Sequence, residues 1–258
     1  MIAVTVTNQK GGVGKTSTAH ALITGLHAYG YKVLAIDLDP QTNLTYTSGN
    51  FPDLPTLYAA STGKASIQDV VTKSSVGYDV TPGDVSFSSA DMEFTAKNKT
   101  FILKGLLEPI KENYDYCIID TPPTLGILTI NALSTSDKAI IPMNADIYSA
   151  QGLSQLWSLM DSVRTYCNPD LITAGILINR FNARSVINRQ INDSIYDIAK
   201  TLNTHVFMSH IREAVAVKEV QYMQGSLFRD YPSAKVTSDY WHFIDEFLGK
   251  PVILNTIK

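Results

Sequence analysis

The chain has 258 residues, 45% of them hydrophobic, which is enough to bury a full core and is compatible with one large α/β domain. Its 21 basic and 24 acidic residues leave a formal charge of -3, so the total does not mark a nucleic-acid binder, and any contact with DNA has to come from a local patch. Cys117 and Cys167, the two cysteines, have no neighbour at disulfide or metal-ligand spacing, which fits a reducing cytoplasm, and no apolar run approaches the roughly 20 residues that span a bilayer.

In chain order, short β-rich apolar runs alternate with segments of helical period, the pattern of a three-layer α/β fold: a mostly parallel sheet flanked by helices on both faces. The first run, Ile2 to Thr7, is too short for a signal-peptide core and has no basic leader, so it reads as a strand. A helix over Thr16 to Tyr29 and a strand over Lys32 to Asp37 follow. Thr42 to Lys97 is rich in Ser, Thr, Gly and Pro and weak in periodicity, predicting loops and short helices. Strands are predicted again at Tyr116 to Asp120, Lys138 to Met143 and Ile172 to Asn179, several of them continuous apolar runs of the kind buried on both faces. The helix Ala150 to Tyr166 puts Leu153, Leu156, Trp157, Met160 and Val163 on one stripe, and a closing helix over Ser233 to Leu248 carries Val236, Tyr240, Phe243 and Phe247. No linker or repeat divides the chain, so residues 1–258 are expected to form one domain, without a separate N-terminal DNA-binding domain.

Three segments carry chemistry. Asn8-Gln9-Lys10-Gly11-Gly12-Val13-Gly14-Lys15-Thr16-Ser17 lies between the first strand and the first helix, where a phosphate cradle belongs. Glycines allow successive backbone N–H groups to face an anion, the helix start adds its positive end, Lys15 meets the β and γ phosphates, and the Thr16 hydroxyl can bind Mg²⁺. The strict G-x-x-x-x-G-K-[ST] pattern is not met, since Gln9 stands at its first position and a second lysine, Lys10, follows. In Asp37-Leu38-Asp39, at the end of the second strand, one acid can serve a Mg²⁺ shell and the other a hydrolytic water. Tyr116 to Asp120 ends in an acid suited to orienting Mg²⁺, and Pro122 and Pro123 then stop the strand.

Together, "TNQKGGVGKTS", "LAIDLDPQTNLT", "YDYCIIDTPPTLGILTINAL" and "AIIPMNADIYSAQGLSQL" resemble the ParA/Soj group of partition ATPases, within the MinD-like class that carries a deviant Walker A motif. The resemblance implies an ATP-hydrolysing switch of the P-loop NTPase fold, using ATP and Mg²⁺. Lys10 matches the signature lysine that reaches a partner's nucleotide across a dimer interface, and Lys15 the lysine in cis. Gly11, Gly12, Val13, Gly14 and Ser17 complete the cradle. Thr16 matches the Mg²⁺ ligand, Asp37 a Mg²⁺-shell or positioning acid, Asp39 the residue that activates water and Asp120 the Walker B acid. Asn179 matches a position that hydrogen-bonds adenine, and Arg212 falls near a base-flanking stretch whose proline is missing here, the local sequence being Ser209-His210-Ile211-Arg212.

The same resemblance places DNA contacts at Arg184, Arg189 and Lys218, cations that dimerisation would double into a salt-sensitive, sequence-independent grip on phosphate. It implies an ATP-dependent homodimer that is cytoplasmic, associates with the nucleoid when ATP-bound, and is stimulated by a ParB-like centromere-binding partner. The alternative is a MinD-like membrane-associated ATPase, or one that positions another cargo. Against the membrane branch, Gly249 to Lys258 contains Pro251 and only two lysines, so no stable membrane association is expected. A metabolic P-loop enzyme is the third reading; an iron-sulfur reductase would need cluster-holding cysteines at other positions than Cys117 and Cys167.

Overall fold

A computed structural model of the chain describes residues 1–94, 99–146, 149–182 and 186–250. The strands β1 (Ile2–Val6), β2 (Val33–Asp37), β3 (Thr72–Lys73), β4 (Asp79–Thr81), β5 (Tyr116–Asp120), β6 (Lys138–Asn144) and β7 (Ile172–Asn179) form one sheet in the order β3-β4-β2-β5-β1-β6-β7. β3 pairs antiparallel with β4, and every other pairing is parallel. Val6 and Asp37 both lie opposite Asp120, so β1, β2 and β5 end level and deliver three loops to one edge of the sheet. That edge, beyond the carboxyl ends of parallel strands, is where such sheets bind ligands.

Helices cover the apolar faces that the sheet presents. After α1 (Lys15–Ala28), the short helices α2 (Asn43–Ser48), α3 (Leu57–Ser61), α4 (Ile67–Val70) and α5 (Ala90–Glu93) precede α6 (Ile102–Leu107) and α7 (Ile127–Thr135). The second half of the chain adds α8 (Ser149–Tyr166), α9 (Val186–Thr201), α10 (Val215–Tyr222), α11 (Leu227–Asp230) and α12 (Lys235–Phe247). On one face α1 and α12 share a core in which Leu22, Leu26, Tyr240 and Phe243 meet Val4 and Ile118. On the other, α6 and α7 bury Leu103, Leu107 and Ala132 with the strand residues Ala3, Ile36 and Ile119. A third core lies under α8 and α9, where Leu153, Leu156 and Met160 meet Ile141, Met143 and Ile178. The alternation Ala3/Val4 and Ile118/Ile119 sends neighbouring side chains to opposite faces, as the period of a strand requires.

The five predicted strands and three predicted helices are present within one or two residues of their expected ends. In the predicted stripe, Leu153, Leu156, Met160 and Val163 are buried, while Trp157 is only partly so. The stretch read as loops and short helices holds α2 to α5 and, in addition, β3 and β4, which extend the sheet beyond β2. Strands of two and three residues leave no periodicity to read in the sequence. Past β7, the Phe207 and Ile211 amides donate to the Ile176 and Ile178 carbonyls, both at 2.9 Å. This covers part of the sheet edge and brings residues 211–214 beside Asn179.

Candidate functional site

The loop between β1 and α1 is built to expose backbone. Gly12 and Gly14 have φ of 73° and 88°, a region that disfavours side chains. A Cβ on Gly14 would also lie 2.7 Å from Asn179 Nδ2. Asn8 anchors the loop: its Nδ2 donates to the Pro142 carbonyl at 2.8 Å, and its Oδ1 accepts from the Lys10 amide at 3.0 Å. α1 starts with no side-chain cap and no acid in its first turn, so its own first turn leaves the positive end of the helix unneutralised. A cavity of about 510 Å³ opens there, lined by Gly11, Gly12, Gly14, Lys15, Thr16, Ser17 and Asp39 among others.

Lys15 is buried, and its Nζ donates to the Lys10 carbonyl at 3.3 Å. Burial lowers its pKa, while the charges of Asp120 and Asp39 act in the opposite direction. Lys10 turns its ammonium to Asp146 of the same chain, 2.6 Å from both carboxylate oxygens.

The acids differ in how they are held. Asp37 Oδ2 accepts from the Thr45 amide at 2.8 Å and the Thr45 hydroxyl at 2.7 Å, and Oδ1 accepts from the Asp39 amide at 3.1 Å. Burial pushes its pKa up to about 6 against those hydrogen bonds. Both oxygens accept hydrogen bonds within the protein, and the one from the Asp39 amide ties Asp37 to the segment that carries Asp39. Asp120 is fully buried, and neither of its oxygens completes a hydrogen bond among the described residues. Burial first, then the neighbouring Asp37, hold it well above the usual carboxylate range, with Thr16 and Lys15 opposing. Asp39 lines the cavity and accepts from the Gln41 amide at 3.0 Å.

Among the described residues no three His, Cys, Asp or Glu side chains are grouped to hold a metal ion. Mg²⁺ needs no such cage when phosphates and water supply most of its shell, and the bare Asp120 carboxylate with the Thr16 hydroxyl fits that donor set.

A second cavity, of about 150 Å³, adjoins the first and is lined by Gly14, Ser17, Asn179, Ile211, Val217 and Tyr240 among others. Asn179 Nδ2 donates to the Val13 carbonyl at 2.8 Å and Thr18 Oγ1 at 3.2 Å, while its buried Oδ1 has no partner among the described residues. The side chain therefore both braces the glycine loop and keeps one acceptor. Arg212 lines this cavity too, but its guanidinium is fixed by Asp239, at 2.6 Å from Nε and 2.7 Å from Nη2. Lys218, expected at DNA, is an exposed residue on the rim of the same cavity. Arg184 lies outside the described residues, as does the side chain of Arg189, whose backbone is in α9.

Arg180, Asp146, Gln221 and Asp239 also belong to the site and were not singled out by the sequence. Arg180 follows Asn179 directly and lines both cavities. Gln221 Nε2 donates to Ser17 Oγ at 3.1 Å. Asp146 and Asp239 are visible only through the partners they hold.

The family described as AAA domain matches residues 1–173. The sporulation initiation inhibitor protein Soj of Bacillus subtilis is 36% identical over 220 residues, covering 84% of this chain and 86% of the relative. The chromosome partitioning protein ParA of Myxococcus xanthus is 37% identical over 259 residues, covering 99% and 82%. The chain belongs to the ParA/Soj family of P-loop ATPases. A solved structure of cobyrinic acid a,c-diamide synthase from Mycobacterium smegmatis, with bound ATP analog and magnesium, superimposes with a TM-score of 0.84 at 27% identity, covering 96% of this chain and 94% of that one. In this ParA/Soj member, no helix among the described residues is long and apolar enough to cross a membrane.

Proposed function

We propose that residues 1–258 work as one ATPase unit, an ATP-driven dimeric switch in DNA partitioning. The observation that carries the reading is the buried Lys15 at an uncapped helix start, within electrostatic reach of the buried Asp120 and of Asp39, with which it lines a cavity that continues into the cleft beside Asn179. Gly11, Gly12, Val13, Gly14 and Ser17 cradle the phosphates and Lys15 neutralises them. Mg²⁺, held by Thr16 and Asp120 together with the phosphates, supplies further charge neutralisation. Asp39 orients the attacking water, Asp37 holds the Asp39 segment in place, and phosphoryl transfer proceeds by positioning and charge stabilisation. Asn179 offers its free acceptor to the amino group of adenine, and Arg212 flanks the base.

In the dimer, Lys10 leaves Asp146 for the partner's nucleotide. The ATP-bound dimer binds DNA without sequence preference through Arg184, Arg189 and Lys218, and a ParB-like protein accelerates hydrolysis and release. The ATP state is cytoplasmic and nucleoid-associated, with no stable attachment to membrane.

Fluorescence anisotropy with unrelated DNA sequences, in ATP or ADP across a salt series, tests this for wild type and Asp39→Ala. Binding that needs ATP, falls with salt and lasts longer in Asp39→Ala is the expected result. A dimer that forms in ATP yet ignores DNA at low salt would overturn the partition reading, and sedimentation with anionic liposomes would then test the membrane alternative.

A further inference from the structure

Four residues line both the phosphate cavity and the base cleft: Gly14, Ser17, Arg180 and Gln221. Arg180 carries the one formal charge among them. Its backbone lies in the left-handed region, at φ 52°, where a side chain crowds the following carbonyl. With Arg180 in this conformation, the Phe181 amide donates to the Ile211 carbonyl at 3.0 Å and so continues the parallel pairing of Asn179 with Ile211. Glycine makes such a turn without strain, and asparagine tolerates it better than arginine. A long cationic side chain at this position is therefore a strained choice, and strain of this kind marks functional sites.

The two arginines of the region contrast. Arg212 is locked by a two-pronged ion pair with Asp239. Arg180 is exposed, and among the described residues no carboxylate or carbonyl holds its guanidinium. If a nucleotide places its base in one cavity and its phosphates in the other, the ribose and α-phosphate cross the junction where Arg180 stands.

We propose that Arg180 is a nucleotide-binding residue that donates to the α-phosphate and ribose of ATP and ADP alike. The assignment rests on the ATP site proposed above. Because the α-phosphate is common to both nucleotides, Arg180 sets how tightly the site holds either one and does not distinguish them.

The test is calorimetric titration of the full chain with Mg-ATP and Mg-ADP, for wild type, Arg180→Gly and Arg180→Lys, together with thermal melting of the unliganded proteins. Arg180→Gly should melt at or above the wild-type temperature, because the strain is relieved. Its Kd for ATP and for ADP should rise by the same factor, roughly ten- to hundredfold for a lost charge-assisted contact. Arg180→Lys should recover part of the loss. Unchanged Kd values in Arg180→Gly would overturn the proposal, and so would a loss confined to ATP, which would put the guanidinium at the γ-phosphate. A loss of DNA binding alone would overturn it as well, placing Arg180 on the nucleic-acid surface. Should Arg180→Gly fail to fold, Arg180→Asn keeps the turn and gives the same reading. Failure of the wild type to bind either nucleotide would instead bring down the ATP site itself.

Discussion

Asp120→Asn removes a charge that the unliganded fold holds at a cost. The carboxylate is fully buried, neither oxygen completes a hydrogen bond among the described residues, and Asp37 lies opposite it on the adjacent strand. An unsatisfied buried polar group costs roughly 1–3 kcal/mol, and more when charged. Neutralising it removes the charged part of that cost and should stabilise the unliganded protein by up to about that amount, or at most about 2–12 °C in Tm at roughly 2–4 °C per kcal/mol for a chain of this size. Nucleotide acts in the opposite sense. At a hundred times its Kd, Mg-ATP stabilises the wild type by about 2.7 kcal/mol, and a hundredfold loss of affinity reduces that to about 0.4 kcal/mol at the same concentration. Melting at pH 7.5, with EDTA or with Mg-ATP, reads both effects. Asp120→Asn should melt above wild type in EDTA and show little further rise with Mg-ATP. A variant that melts below wild type in EDTA, or keeps the full nucleotide shift, would refute the assignment of Asp120 to a cation.

Three further outcomes follow from the geometry. His20 is buried with Nε2 unpartnered, and burial pushes its pKa down to about 4; its contribution to stability is present above about pH 6.5 and lost as pH falls toward 4, so the stability of wild type relative to His20→Gln should drop by about 3 kcal/mol across that window in urea unfolding. Asp37 titrates with the opposite sign, its raised pKa favouring the fold as pH falls through about 6, and the comparison with His20→Gln cancels that contribution; a pH-independent difference would refute the His20 argument. Gly14→Ala forces a side chain into φ 88° and against Asn179, whose bonds to Val13 and Thr18 must yield; it should cost roughly 2–4 kcal/mol and abolish ATP binding, and a wild-type Kd would contradict this. Asp146→Asn frees Lys10 from a pair whose side chains are 30% and 33% exposed, worth at most about 1 kcal/mol, so the ATP concentration needed for dimerisation should fall by up to about fivefold by sedimentation velocity. An increase would show that Asp146 supports the dimer.

How much could be read beforehand depended on whether the signal was local. β1, β2, β5, β6 and β7 are apolar runs buried on both faces, and the glycine loop, Asp37, Asp39 and Asp120 each end such a run, so strand, loop and acid were all legible. β3 and β4 were not, because Val80 and Thr81 are buried by their position beside β2 and not by a pattern of their own. The remaining parts of the site join residues far apart in the chain. Lys10 meets Asp146, Ser17 meets Gln221 and Val13 meets Asn179, and nothing in the local sequence of either partner announces the pairing. Arg180 directly follows Asn179, but its left-handed backbone is a property of the turn, which only the fold reveals.

Those long-range contacts join the parts of the site into one frame. Thr45 ties the segment after Asp39 to Asp37, and its hydroxyl also accepts from the Gly83 amide at 2.8 Å. On the next residue, the Tyr46 carbonyl accepts from Gln224 Nε2 at 3.0 Å, while Gln221, near the end of α10, donates to Ser17 on α1. The phosphate helix, the Asp39 segment and the helix that carries Lys218 are thus linked by a few hydrogen bonds, each worth about 1 kcal/mol net. Their sum is comparable to the roughly 2.7 kcal/mol available from nucleotide at a hundred times its Kd. Only a ligand that binds one arrangement of these elements more tightly than another can shift the links between them. Tyr46, Tyr222 and Met223, exposed by 56%, 77% and 52%, sit on or beside those same elements.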